Sequence, residues 1–225
     1  SFDDRSKRVV DLRTRSLNGG YFHPKNILLF TPPDAGFFPS VVQAYNWDNL
    51  GSEVDVIHDP DRRVITYRNR SLDSQTFVPI KIRRIIELGG SGTEFDPDHY
   101  TYRFEGLHLD NSLIVHSGRI ELYRCAVRKI SVHSIDKRAP VLKASNCLFK
   151  LLEVARGLVN LEYCSVLGKT LAQGIYASDC IFIDILHRDH HNDAPPEFGC
   201  VRFSRLSPKQ LPGLPAFRTH QVSNE

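Results

Sequence analysis

The chain of 225 residues contains no methionine and a single tryptophan. It begins at Ser1, so the native start is expected upstream, and a signal peptide removed before that point is compatible with such a start. No apolar run approaches the roughly 18 residues that a spanning helix needs. The densest cluster, Ile27-Leu-Leu-Phe30, is the size of a strand. That excludes a helical membrane span. Charge of one sign is also missing: 29 basic residues face 26 acidic ones, for a net +3. Such a balance gives no basic footprint for nucleic acid or an anionic membrane surface. The five cysteines form no Cys-x-x-Cys pair, and their number is odd. A disulfide framework and a zinc ribbon are therefore not expected. Free thiols favour a reducing, cytoplasmic setting. Gly89-Gly-Ser-Gly92 lacks the Lys of a phosphate loop, no Gly-x-Ser-x-Gly is present, and no cofactor is expected.

What the chain does have is a repeat. Four octets share one pattern: Ile120 to Val127, Leu142 to Phe149, Val159 to Val166 and Ile175 to Phe182. A fifth, Tyr102 to Leu109, carries Leu107 where the others carry Cys125, Cys147, Cys164 and Cys180. Apolar residues occupy positions one, three, six and eight in every copy, and successive starts lie 18, 22, 17 and 16 residues apart. A repeat of that length is one supersecondary unit that buries its apolar face only by stacking on its neighbours.

Alternation at positions one and three reads as a strand, and so does alternation at six and eight. The phase slip between them marks a corner. Position five carries Gly106, Arg124, Asn146, Tyr163 and Asp179. Gly, Asn and Asp there suit a left-handed conformation that turns the chain while both flanks keep facing inward. Further apolar pairs follow, such as Ile130 with Val132 and Leu152 with Val154, and Gly118, Gly157 and Gly174 close three coils. The expected fold is all-β: a right-handed parallel β-helix with coils of about 16–22 residues. Leu107, Cys125, Cys147, Cys164 and Cys180 are its expected core ladder, the thiols acting as small hydrophobes. Position two carries Arg103, Glu121, Lys143, Asn160 and Tyr176, an outward row of alternating sign suited to a solvated face.

Residues 1–52 are read as an N-terminal capping segment, with Ile27 to Thr31 as a strand and Phe37, Phe38, Tyr45 and Trp47 as a plug. Residues 53–204 are read as the β-helix, beginning with a hairpin of Glu53 to Ile57 and Arg63 to Arg68. Strands follow at Phe77 to Ile82 and Arg84 to Leu88. Cys200 to Ser204 adds a last strand, and residues 205–225 are read as an extended or disordered tail rich in proline. The stretch from His187 to Pro196 is polar and reads as a surface loop. Its His187, Asp189, His190, His191 and Asp193 are the only metal-ligand candidates, although a short loop ending in Pro-Pro gives such ligands little support.

The octets, with Leu161 to Gly168, Ala177 to Phe182 and Gly199 to Ser204, resemble the right-handed parallel β-helix superfamily, pectate-lyase-like in the broad sense. Within it they are most similar to bacterial β-helix proteins encoded near phage-tail-like contractile injection systems, a group without an established activity. The resemblance implies a non-enzymatic structural or protein-binding role. Polysaccharide-cleaving members carry Asn-Thr-Asp, Asp-Asp, Gly-His-Gly and Arg-Ile-Lys sets, and none occurs here. A carbohydrate-active lyase or hydrolase, or a carbohydrate-binding module, is the alternative, and a groove with two or more carboxylates and stacking aromatics would favour it. A filament resembling the bactofilins is the third reading and needs open coil ends. The expected partners are thus proteins or a polysaccharide surface.

Overall fold

A computed structural model describes residues 43–45, 54–73, 80–89, 100–133, 140–184, 186–188, 195–207 and 220–221. Every regular element among them is a strand. Among the described residues the strands stack into three parallel ladders, and each coil from β3 to β15 contributes a strand to each of three faces.

The first face holds octet positions one to four. Its rungs are β3 (Val64–Asn69), β6 (Thr101–Glu105), β8 (Arg119–Tyr123), β10 (Pro140–Ser145), the end of β11 (Leu148–Glu162), the end of β13 (Thr170–Ser178) and β16 (Phe198–Arg202). β2 (Val54–Asp59) pairs antiparallel with β3 and covers that edge. The second face holds positions six to eight. It runs from β1 (Gln43–Tyr45) through β4 (Ile80–Ile82), β7 (Leu107–Val115), β9 (Ala126–Val132), β11, β12 (Ser165–Val166), β14 (Ile181–Phe182) and β17 (Arg205–Leu206) to β18 (His220–Gln221). The third face stacks β5 (Ile86–Leu88), later parts of β7, β9 and β11, the start of β13, and β15 (Leu186–His187). The expected all-β parallel β-helix is therefore the fold. The hairpin of β2 and β3 lies on it directly, and β3, β4 and β5 form its first described coil.

The corner between the first and second faces turns at octet position five. Arg124, Asn146, Tyr163 and Asp179 all have φ between 52° and 56°, and Gly106 has 69°. For an L residue this conformation costs about 1–2 kcal/mol. The coil accepts that cost because the turn lets positions three and six both face the interior. The amide at each such corner bonds to a carbonyl of the next coil, as Asn146 N–H does to Glu162 at 3.0 Å and Tyr163 N–H to Ser178 at 3.0 Å.

One continuous apolar core fills the rod, with Phe104, Phe149 and Phe182 fully buried in it. Large and small residues compensate within a coil. Ala144 at position three accompanies Phe149 at position eight, and Ala177 accompanies Phe182, whereas Phe104 accompanies Leu109. Each large aliphatic or aromatic side chain buried this way contributes roughly 1.5–3 kcal/mol. Coil length varies mainly on the way from the third face back to the first. Val132 to Pro140 takes eight residues where the stacked Val154 to Leu158 takes four. The longer connections, 90–99, 134–139 and 189–194, all join the third face to the next rung of the first.

The reading of His187 as the start of a surface loop is corrected. Leu186 and His187 stack on Thr170 and Leu171 as β15, and His187 is buried. Ladder pairing extends one residue past the apolar pattern, so local polarity misplaced the boundary. Asp189, His190, His191 and Asp193, the strand at Ile27 to Thr31 and the aromatic plug at Phe37, Phe38 and Trp47 lie outside the described residues; of Tyr45 only its place in β1 is described.

Candidate binding surface on the first face

Side chains at octet positions two and four point outward from the first face, because one and three point inward. Across the middle rungs they form a shallow groove of about 290 Å³, lined by Arg103, Glu105, Glu121, Tyr123, Lys143 and Glu162, with Asn160 and Ser145 between them. Its charges are ordered by the stacking. Glu121 sits one rung from Arg103 and one from Lys143. Arg103 donates through Nε and Nη2 to Glu121 Oε2 at 3.0 and 2.7 Å, and Lys143 Nζ lies 3.7 Å from Oε1 of the same carboxylate. At the neighbouring position, Arg68 Nη1 lies 3.5 Å from Glu105 Oε2. The alternating row expected from sequence is thus a chain of cross-rung ion pairs, which avoids like charges directly opposite one another.

Aromatic surface accompanies this polar network. Tyr123 lines the groove at 41% exposure, and Tyr176, stacked beside Asn160 on the next rung, is 48% exposed. A rigid, half-exposed ring beside fixed donors and acceptors offers an apolar face with a polar edge. The sequence showed the charge row. The groove adds the position-four row, where Glu105 stacks on Tyr123, which the charge pattern alone did not single out.

The core ladder lies behind the corner of this face. Leu107, Cys125, Cys147, Cys164 and Cys180 are all buried, and the four thiols are free. Each sulfur lies near the carbonyl two residues before it: 3.3 Å for Cys125 to Tyr123, 3.2 Å for Cys147 to Ser145, 3.2 Å for Cys164 to Glu162 and 3.2 Å for Cys180 to Ser178. The thiol thus satisfies a carbonyl at the left-handed turn. Burial pushes the Cys147 and Cys180 thiols well up, with hydrogen bonds from the adjoining thiols adding to it. They stay protonated and are structural, in keeping with inert buried cysteines.

Elsewhere the structure offers little chemistry. His116 and His133 fall on adjacent coils with their rings stacked at 5.8 Å, and Glu87 lies 3.7 Å from His116. Among the described residues no three His, Cys, Asp or Glu side chains are grouped so as to hold a metal ion. None of the described helices is long and apolar enough to cross a membrane, there being no helix among these residues. Comparison with protein-family models, with curated proteins and with solved structures finds no match to this chain.

Proposed function

We propose that the chain is a non-enzymatic β-helix that holds a polysaccharide strand in the groove of its first face. The single observation that carries this reading is the chain of cross-rung pairs Arg103–Glu121–Lys143 beside the exposed ring of Tyr123. A glycosidase needs one carboxyl kept protonated as an acid and another free as a base or nucleophile. Here Glu121 bridges two cations and Glu105 faces Arg68. These groups are fixed hydrogen-bonding partners for sugar hydroxyls, and the tyrosine supplies the stacking surface. The groove lining holds two cations against three carboxylates. That count disfavours a polyanion and favours an uncharged or sparsely charged glycan.

The test is affinity electrophoresis against neutral and acidic polysaccharides, with product analysis alongside. A neutral polysaccharide should retard the protein, Tyr123→Ala should abolish most of the retardation, and no reducing ends or unsaturated products should form. Absence of retardation by every glycan overturns the binding, and product formation overturns the non-enzymatic assignment.

A second reading keeps the rod as a protein-binding structural component, of the kind encoded with injection systems. It is favoured by the hairpin at the start of the rod, where Val56 and Ile57 are 54% and 51% exposed. A filament is less well supported, since β2 runs antiparallel along β3 and blocks that edge to a parallel neighbour.

A further inference from the structure

The groove on the first face is longer than it is wide. Its lining comes from four successive rungs, β6, β8, β10 and β11, but from only two outward positions on each. Four rungs span three spacings, about 14 Å at roughly 4.8 Å each, whereas positions two and four stand about 7 Å apart at roughly 3.3 Å per residue. A chain molecule seated there therefore lies along the rod and crosses the strands, one rung after another.

Each rung offers the same kind of pair. Positions two and four carry Arg103 with Glu105, Glu121 with Tyr123, Lys143 with Ser145 and Asn160 with Glu162. The next rung, in β13, continues both rows with Tyr176 and Ser178, stacked on Asn160 and Glu162. No aliphatic side chain stands in either row across these five rungs. The two half-exposed rings, Tyr123 and Tyr176, lie three rungs apart, about 14 Å along the rod at roughly 4.8 Å per rung. Between them the rows hold hydrogen-bonding groups alone: Lys143, Ser145, Asn160 and Glu162.

A ladder sets a condition on its ligand. The rungs recur at a constant step, so a ligand that meets equivalent groups on each rung must repeat at that step. An extended peptide does not: its side chains recur on one face at about 6.6 Å, two residues at roughly 3.3 Å each, and fall out of step with the rungs. An α-1,4-linked glycan coils and leaves the track within a few sugars. A β-1,4-linked chain of glucose-type pyranoses is joined equatorially, extends as a ribbon, and advances by nearly one rung per sugar. We infer that the first face takes a straight, uncharged β-1,4-linked glycan lying lengthwise, one sugar per rung, and that Tyr176 is a second stacking site beyond the groove. This rests on the glycan-binding reading of the groove and adds to it the linkage, direction and length of the ligand. Sugars stacked on Tyr123 and Tyr176 are three units apart, so four in line reach both rings and shorter oligomers engage only one. A chain kept straight by its own linkages also loses little freedom on binding.

The test is isothermal titration calorimetry of the full chain with oligosaccharides of two to six sugars. The β-1,4-linked cello-, manno- and chito-oligosaccharides are set against α-1,4-linked malto-oligosaccharides. At least one β-1,4 series should bind and tighten about tenfold between three sugars and five, the worth of one added stacking contact. Its hexamer should also bind about tenfold more tightly than maltohexaose. Tyr176→Ala should weaken the hexamer far more than the trimer, whereas Tyr123→Ala should weaken both. Affinity that stops rising at two sugars, equal binding of the α-1,4 series, or a hexamer indifferent to Tyr176→Ala overturns the lengthwise assignment and leaves the groove's glycan binding in place. Binding by no oligomer of either linkage overturns that underlying reading as well.

Discussion

The hydroxyl of Ser204 does for the last coil what a thiol does for the others: it accepts the Cys180 amide at 3.1 Å and donates to the Arg202 carbonyl at 2.8 Å. The equivalent bond three turns of the ladder earlier is weaker, from Cys125 N–H to the Cys147 sulfur at 3.4 Å. Ser204 is buried, so its partners have no water to fall back on.

Ser204→Ala leaves the Cys180 amide buried and unmet, which costs about 1–3 kcal/mol. Ser204→Cys restores the ladder chemistry and should cost less than half as much. Urea midpoints of the two variants against the parent measure the difference. Equal losses would show that the hydroxyl acts by size alone.

Thr170 presents the opposite situation. It is fully buried on the inner ladder of the third face, paired with Leu152 and Leu186, and its hydroxyl has no hydrogen-bond partner among the described residues. Thr170→Val keeps the shape and removes the polar atom. It should stabilise the fold by about 1 kcal/mol, since an unsatisfied buried hydroxyl is disfavoured by about 1–3 kcal/mol. A thermal melt that shifts downward would contradict this.

Acid should weaken the fold through His108. Burial holds its pKa down to about 3, against an upward pull from Asp110 and a further downward one from Lys81. Asp110 itself is paired with Lys81 at 2.7 Å and lies 3.9 Å from Arg128. The folded state therefore keeps the imidazole neutral while the unfolded chain takes up a proton below its ordinary value. Stability is complete above about pH 6.5 and falls as pH drops toward 3, by an amount on the order of a few kcal/mol. His108→Gln should flatten that limb of a stability-against-pH curve and leave the curve near pH 8 with the same slope as the parent.

The octets were legible because position one, three, six and eight residues such as Ile120, Leu122, Cys125 and Val127 keep their phase in every copy. The corner was legible from Asn146 and Asp179, whose side chains tolerate a left-handed turn; Arg124 and Tyr163 share it only because the stacked coils hold them there. A sixth copy, Gly199 to Leu206, was hidden. It has Gly199 where the others have Tyr, Ile, Leu or Val, and Ser204 where they have Leu or Cys. Gly199 is required: its φ is 121°, and a Cβ there would stand 1.8 Å from the Ile175 carbonyl oxygen. The groove was not legible as a groove: the octets align Glu105 with Tyr123, but the pattern does not give the space between the outward side chains.

Among the described residues, each coil pairs its strands only with the one before and the one after it. Duplication of a sixteen-residue unit would therefore lengthen the groove of the first face by about 4.8 Å while keeping the same rung-on-rung pairing. Evolution can set the length of such a rod by copying turns, one unit at a time, rather than by rebuilding the fold.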